Sequence, residues 1–264
     1  MMIRLVAVLW FGMLAGCLSA QVSDFFLDPA GKAYYLLDDA RLATPNPLGE
    51  NTYSFYDSSL GSPDYVDVTN PFQILVYYRE YGTVVVLDRT LSELDRIDLF
   101  ANESIRQPGV IARSYDDGMW VFDNWDFRLL RLNGTGEIEH QTNNLRLQLG
   151  ISGAPDALFV DRNRVMLYFA ADDRMAVFTN YGKFLSWVAV PPGLTLSWRA
   201  PHLLAIGEGQ HWLWTPGEEG LVPLGTLPED LASAGRILFT TEGYVTTVPG
   251  VLQIRGKAFS NKKQ

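Results

Sequence analysis

The chain has 264 residues, 47% of them hydrophobic, with 30 acidic against 21 basic side chains and a net charge of −9. That balance argues against nucleic acid and anionic lipid surfaces as partners, since both repel an acidic protein at long range. The single cysteine excludes an internal disulfide, so the fold rests on an apolar core, which a chain of this size can bury as one all-β domain.

The first element in chain order is a leader. Arg4 supplies a positive start, residues 5–14 an apolar run and residues 15–20 a zone of small side chains, which predicts a signal peptide over 1–20 and a single domain over 21–264. The run is too short for a membrane span, which needs about 20 apolar residues. Leu14-Ala15-Gly16-Cys17 matches the bacterial lipobox, where small residues ahead of the cysteine admit a lipoprotein peptidase. On that reading the mature chain starts at Cys17, the site of lipid attachment. Cleavage near Gln21 discards the cysteine instead. Either way the sequence predicts export to the periplasm, with anchoring to the outer membrane through Cys17 in the first case.

Beyond the leader, turns and strands alternate. Turns at Asp28, Thr69, Asp116, Asp161, Gly207 and Thr241 each precede a strand rich in β-branched or aromatic residues, among them ILVYY, MWVF and HWLW. A second turn follows each, at Asp38-Asp39, Glu80-Tyr81-Gly82, Asn124-Trp125-Asp126, Asp172-Asp173, Pro216-Gly217 and Pro249-Gly250. Turn residues Asp88, Asn133 and Asn180 recur at intervals of 45 and 47. A period in the forties corresponds to four short strands per unit. The prediction is an all-β propeller of six blades with the last one or two abbreviated. Thr226 to Ala234, TLPEDLASA, is the best helical stretch and falls where the fifth unit needs its outer strand. A two-sheet sandwich is the competing all-β arrangement.

Asp28-x-x-Gly31-x-x-Tyr34 is similar to the hairpin of NHL-type six-bladed propellers. Val66 to Leu99, with its Asn70-Pro71-Phe72 turn and the aliphatic-aromatic strand after it, resembles an uncharacterised group of exported β-propeller proteins of the Bacteroidota. The resemblance implies a fold and a compartment and assigns no residue a role.

No catalytic residue emerges. His140, His202 and His211 share no ligand spacing, and neither a G-x-S-x-G elbow nor a phosphate-cradling glycine loop is present. No cofactor or metal ligand is assigned; Ca2+ enters only under the alternative of a hydrolase or lactonase whose ligands come singly from several blades around the channel. What stands out is one loop face, where second turns and inter-blade connections emerge together. It is predicted to hold Arg79, Tyr81, Asn124, Trp125, Asp126, Arg128, Asp172, Arg174, Trp198, Arg199 and His202, opposite a plainer face. Aromatics with arginines are what binding hot spots use. Trp125 and Trp198 serve either as plugs over the channel end or as exposed contacts. The leading reading is a non-enzymatic envelope scaffold holding another envelope protein.

Overall fold

Runs such as ILVYY and TVVVL are stable as strands only where both faces of their sheet are covered. The computed structural model, which describes residues 22–46, 52–227, 237–240, 243–248 and 251–255, supplies that cover by setting sheet against sheet. Blade one is β1 (Val22–Leu27), β2 (Ala33–Leu37), β3 (Leu42–Pro45) and β4 (Thr52–Phe55); blade two is β5 (Tyr65–Asp67), β6 (Ile74–Tyr78), β7 (Thr83–Leu87) and β8 (Glu93–Asp98). Blade three is β9 (Pro108–Arg113), β10 (Met119–Asp123), β11 (Arg128–Leu132) and β12 (Ile138–Gln141). Blade four is β13 (Ala157–Val160), β14 (Arg164–Phe169), β15 (Arg174–Thr179) and β16 (Phe184–Ala189), and blade five β17 (Thr195–Arg199), β18 (His202–Gly207), β19 (Gln210–Trp214) and β20 (Val222–Thr226). Each is an antiparallel meander. First strands of successive blades adjoin, β5 with β9 and β9 with β13, so they are innermost; the fourth strand β8 is exposed at five of six positions.

The blade count corrects the sequence expectation. Among the described residues five complete four-stranded blades form rather than six, and the strands β21 (Ile237–Thr240), β22 (Gly243–Val248) and β23 (Val251–Arg255) make a three-stranded sheet whose β21 adjoins β17. Blade five is not abbreviated, because β20 fills the outer place where a helix was expected. The rest of that helical stretch, residues 228–234, lies outside the described residues, as does the leader with Cys17. A short helix does occur elsewhere, α1 (Leu145–Leu149), between blades three and four. The Asn144 side chain accepts the Leu147 amide at its start, and Gly150 ends it in the left-handed region. Little more than one turn long, it is too short for a sequence period to show.

Blade three explains why its strands lack polar alternation. Met119 and Val121 pack against Leu75, Tyr77 and Val86 of blade two, while Trp120 and Phe122 meet Val165, Leu167 and Phe169 of blade four. Successive side chains point to opposite faces, and both faces are core. The turns repeat one chemistry. Asp28, Asp88 and Asn133 each accept the amides two and four residues on through a side-chain oxygen. In blade four the Thr179 hydroxyl does this, one residue before the predicted Asn180. The fourth position of each turn is left-handed and holds Gly31, Gly136 and Gly182, but Leu91 in blade two. Burial of the Leu91 side chain offsets a left-handed cost of about 1–2 kcal/mol.

The meander sets two faces. Second turns and inter-blade connections form an upper face, and first and third turns a lower one.

Candidate functional site

The upper face is built most firmly around the second turn of blade three. Asp123, last residue of β10 and fully buried, accepts the amides of Gln107 and Trp125, each at 3.0 Å, and of Arg106 at 3.4 Å. Arg128, first residue of β11, donates to Gln141 Oε1 at 3.0 Å and to the Ser104 carbonyl and Asp126, both at 2.9 Å. The Asn144 side-chain amide donates to the Asp126 carbonyl at 2.8 Å. Phe127, left-handed at φ 53° and buried, stands edge-on to Phe122 under the Arg146 guanidinium, 3.6 Å from its ring. The turn is thereby tied to the connections on both sides of it. Trp125, between these anchors, is 63% exposed.

Blade four repeats the clamp. Arg174 begins β15 as Arg128 begins β11; it donates to the Gly150 carbonyl at 3.4 Å and lies 3.6 Å from Asp172 and 3.9 Å above the Trp187 ring. Asp172 accepts from the Ser152 hydroxyl at 2.7 Å and amide at 3.3 Å, and the hydroxyl above all holds its carboxyl below the usual carboxylate range. In blade two the Arg79 amide donates to Asp64 at 2.8 Å, and the guanidinium sits 3.7 Å from the same carboxylate. Arg128, Asp172 and Arg174 therefore spend their polar groups on holding loops to connections.

Exposed on this face, besides Trp125, are Tyr81, the Phe100 ring that lies against Gly82, and Leu147 of α1. Sequence reasoning missed Phe100 and Leu147. Both lie in long connections, where an apolar residue reads as core, and no turn signal marks them.

Trp198, Arg199 and His202 belong elsewhere. Blade five begins at Thr195, one strand earlier than the turn pattern suggested, so the Gly207 turn is its second and Pro216-Gly217 lies in its third. Trp198 and Arg199 end β17 and His202 opens β18, which puts all three on the lower face, away from Arg79, Tyr81, Asn124, Trp125, Asp126, Arg128, Asp172 and Arg174. Trp198 is a packing residue: its indole N–H donates to the Val160 carbonyl at 3.0 Å, and its ring stacks 5.9 Å from Phe159. His202 Nδ1 lies 3.0 Å from the Thr215 hydroxyl. Nor is the lower face plainer, since Phe72, Tyr115 and Tyr181 are exposed there. Among the described residues no group of three or more His, Cys, Asp or Glu side chains is arranged to hold a metal ion.

No established sequence family matches this chain, and no curated protein resembles it in sequence. Its backbone is similar to those of solved propellers. A streptogramin B lyase is 15% identical with a TM-score of 0.60, over 86% of this chain and 76% of that one. A catalytically inactive virginiamycin B lyase from Staphylococcus aureus with quinupristin is 12% identical with a TM-score of 0.62, over 86% and 78%. A chain of the mitotic checkpoint complex is 11% identical with a TM-score of 0.59, over 88% and 73%. The likeness is one of fold.

Proposed function

We propose that this protein is a non-enzymatic cell-envelope propeller that holds a partner protein against its upper face, exported by its leader and attached to lipid through Cys17. The observation that carries the reading is Trp125, 63% exposed on a turn whose every neighbour is anchored. Folding needs no tryptophan there, and a hydrophobic ring of that size left in water is costly unless another surface covers it. An anchored turn also reduces the ordering cost of association. Tyr81, Phe100 and Leu147, on neighbouring loops, extend the apolar contact.

The lyases share the fold at 12–15% identity, which transfers no catalytic residue to this chain. The test is recovery of the partner from native membranes. A hot-spot tryptophan costs about 2 kcal/mol or more on truncation, a loss of about thirtyfold in affinity. Trp125→Ala should lose the complex at unchanged thermal stability, while Tyr181→Ser on the lower face keeps it. Unchanged recovery with Trp125→Ala refutes the assignment.

A further inference from the structure

On the lower face a cleft of about 210 Å³ opens between blades two and three. Its walls are aliphatic, formed by Leu75, Val86, Ile97 and Met119, with Leu94 at the lip, 56% exposed. Its rim is acidic, formed by Asp95, Asp116 and Asp117, and among the described residues no cationic side chain lines it. Two guanidiniums stand behind the rim. Arg131 pairs with Asp116 and lies 3.6 Å from Glu139; Arg113, buried, lies 3.7 Å from both Asp67 and Asp117. Four carboxylates thus face these two cations, Asp95 adds a further negative charge at the rim, and the mouth stays net negative. The Asn70 side-chain amide donates to Asp117 at 2.9 Å, linking the first turns of the two blades across the cleft and holding the rim in place. Those same turns expose Phe72 and Tyr115 as an apolar collar.

We propose that this cleft is a binding site for a lysine side chain of a partner protein, its alkyl stem against the aliphatic walls and its ammonium between Asp95 and Asp117. A long cationic side chain gains most where its stem is buried and its head remains at a wet, acidic edge. Asp116 is already engaged by Arg131 and Asp117 by Asn70, so the rim offers separate single-oxygen contacts. Those suit a compact ammonium better than the planar fork of arginine. The overall charge of −9 steers a basic partner toward the protein. The site stands on the face opposite Trp125 and does not depend on it.

The test uses the full chain, isotopically labelled, titrated with acetyl-Gly-Lys-Gly-amide and followed by amide chemical shifts. Saturable shifts are expected at residues 94–97 and 116–119, with a Kd of about 1–10 mM, the range open to a ligand fragment of this size. Asp95→Asn and Leu94→Ser should each weaken binding at least about threefold, the former by removing rim charge and the latter by removing wall contact. Both positions are exposed, and if one variant fails to fold the other carries the test. The norleucine analogue of the peptide, equal in stem and uncharged, should not bind. The proposal is overturned if the norleucine peptide shifts the same amides, if the lysine peptide gives no saturable shifts there, or if n-butylammonium binds while the peptide does not. That last outcome marks a site for small amines.

Discussion

Replacing Arg128 with alanine separates the two roles an arginine on the upper face can have. As a contact for a partner, its loss weakens binding and leaves the fold alone. As the clamp described above, its loss removes three hydrogen bonds of 2.9–3.0 Å, to Gln141, Ser104 and Asp126, and takes a cation from 3.8 Å beside the fully buried Asp123. At about 1 kcal/mol net per bond, discounted below the range for a charged donor because the side chain is 21% exposed, the loss comes to about 3 kcal/mol. For a domain of this size each kcal/mol lowers the melting temperature by about 2–4 °C, so Arg128→Ala should melt about 6–12 °C below wild type in a calorimetric scan. Arg128→Lys keeps a charge near Asp123 without the fork and should recover about half the loss. Trp125→Ala, which touches no anchor, should stay within about 1 °C. An Arg128→Ala protein melting within about 2 °C of wild type refutes the clamp and returns Arg128 to the pool of binding residues.

Three further outcomes are expected. Asp57 accepts from the Ser59 amide at 2.9 Å and hydroxyl at 2.6 Å and pairs with Arg96 at 2.8 Å, and these contacts, the Ser59 hydroxyl first, hold its carboxyl at about 2 against an ordinary 3.8. The folded chain therefore binds that proton less readily than the unfolded chain, so its stabilisation is present above about pH 4 and lost as pH falls toward 2. The gap in melting temperature between wild type and Asp57→Asn should narrow over that window, and a constant gap refutes the pairing. A Cβ at Gly118 runs into the Leu132 carbonyl, whereas one at Gly134 meets only the Asp117 carbonyl at 3.7 Å. Gly118→Ala should cost about 2 kcal/mol or more in denaturant unfolding and Gly134→Ala less than about 1, and equal costs refute the tight turn. A labelled fatty acid should enter the wild-type protein and fail to enter Cys17→Ala, while an unlabelled wild type with its N-terminus near Gln21 removes the anchor.

The propeller class was legible because its signals are local and repeated. Asp88, Asn133 and their counterparts cap the same turn through their own side chains, and strands such as TVVVL, buried at every position, are aliphatic from Val84 to Leu87 because they have neighbours on both sides. Neither property depends on distant parts of the chain. The phase of blade five did depend on them. The turn at Gly207 looks like a first hairpin, and only the pairing of Thr195–Arg199 with β18 shows that it is a second one, which carries Trp198 to the lower face and into the packing around Val160. Burial separated Trp125 from Trp198, two tryptophans alike in sequence context, and spatial neighbours separated Arg128, spent on the Ser104 carbonyl and the Gln141 and Asp126 side chains, from an arginine free for a partner. The lower cleft lies further still from sequence reading, since Asp95, Asp116 and Asp117 share a rim with Leu94 only because two blades meet there. Turn chemistry and strand composition act over a few residues and repeat along the chain, whereas exposure and convergence are properties of surfaces that exist only once blades are packed.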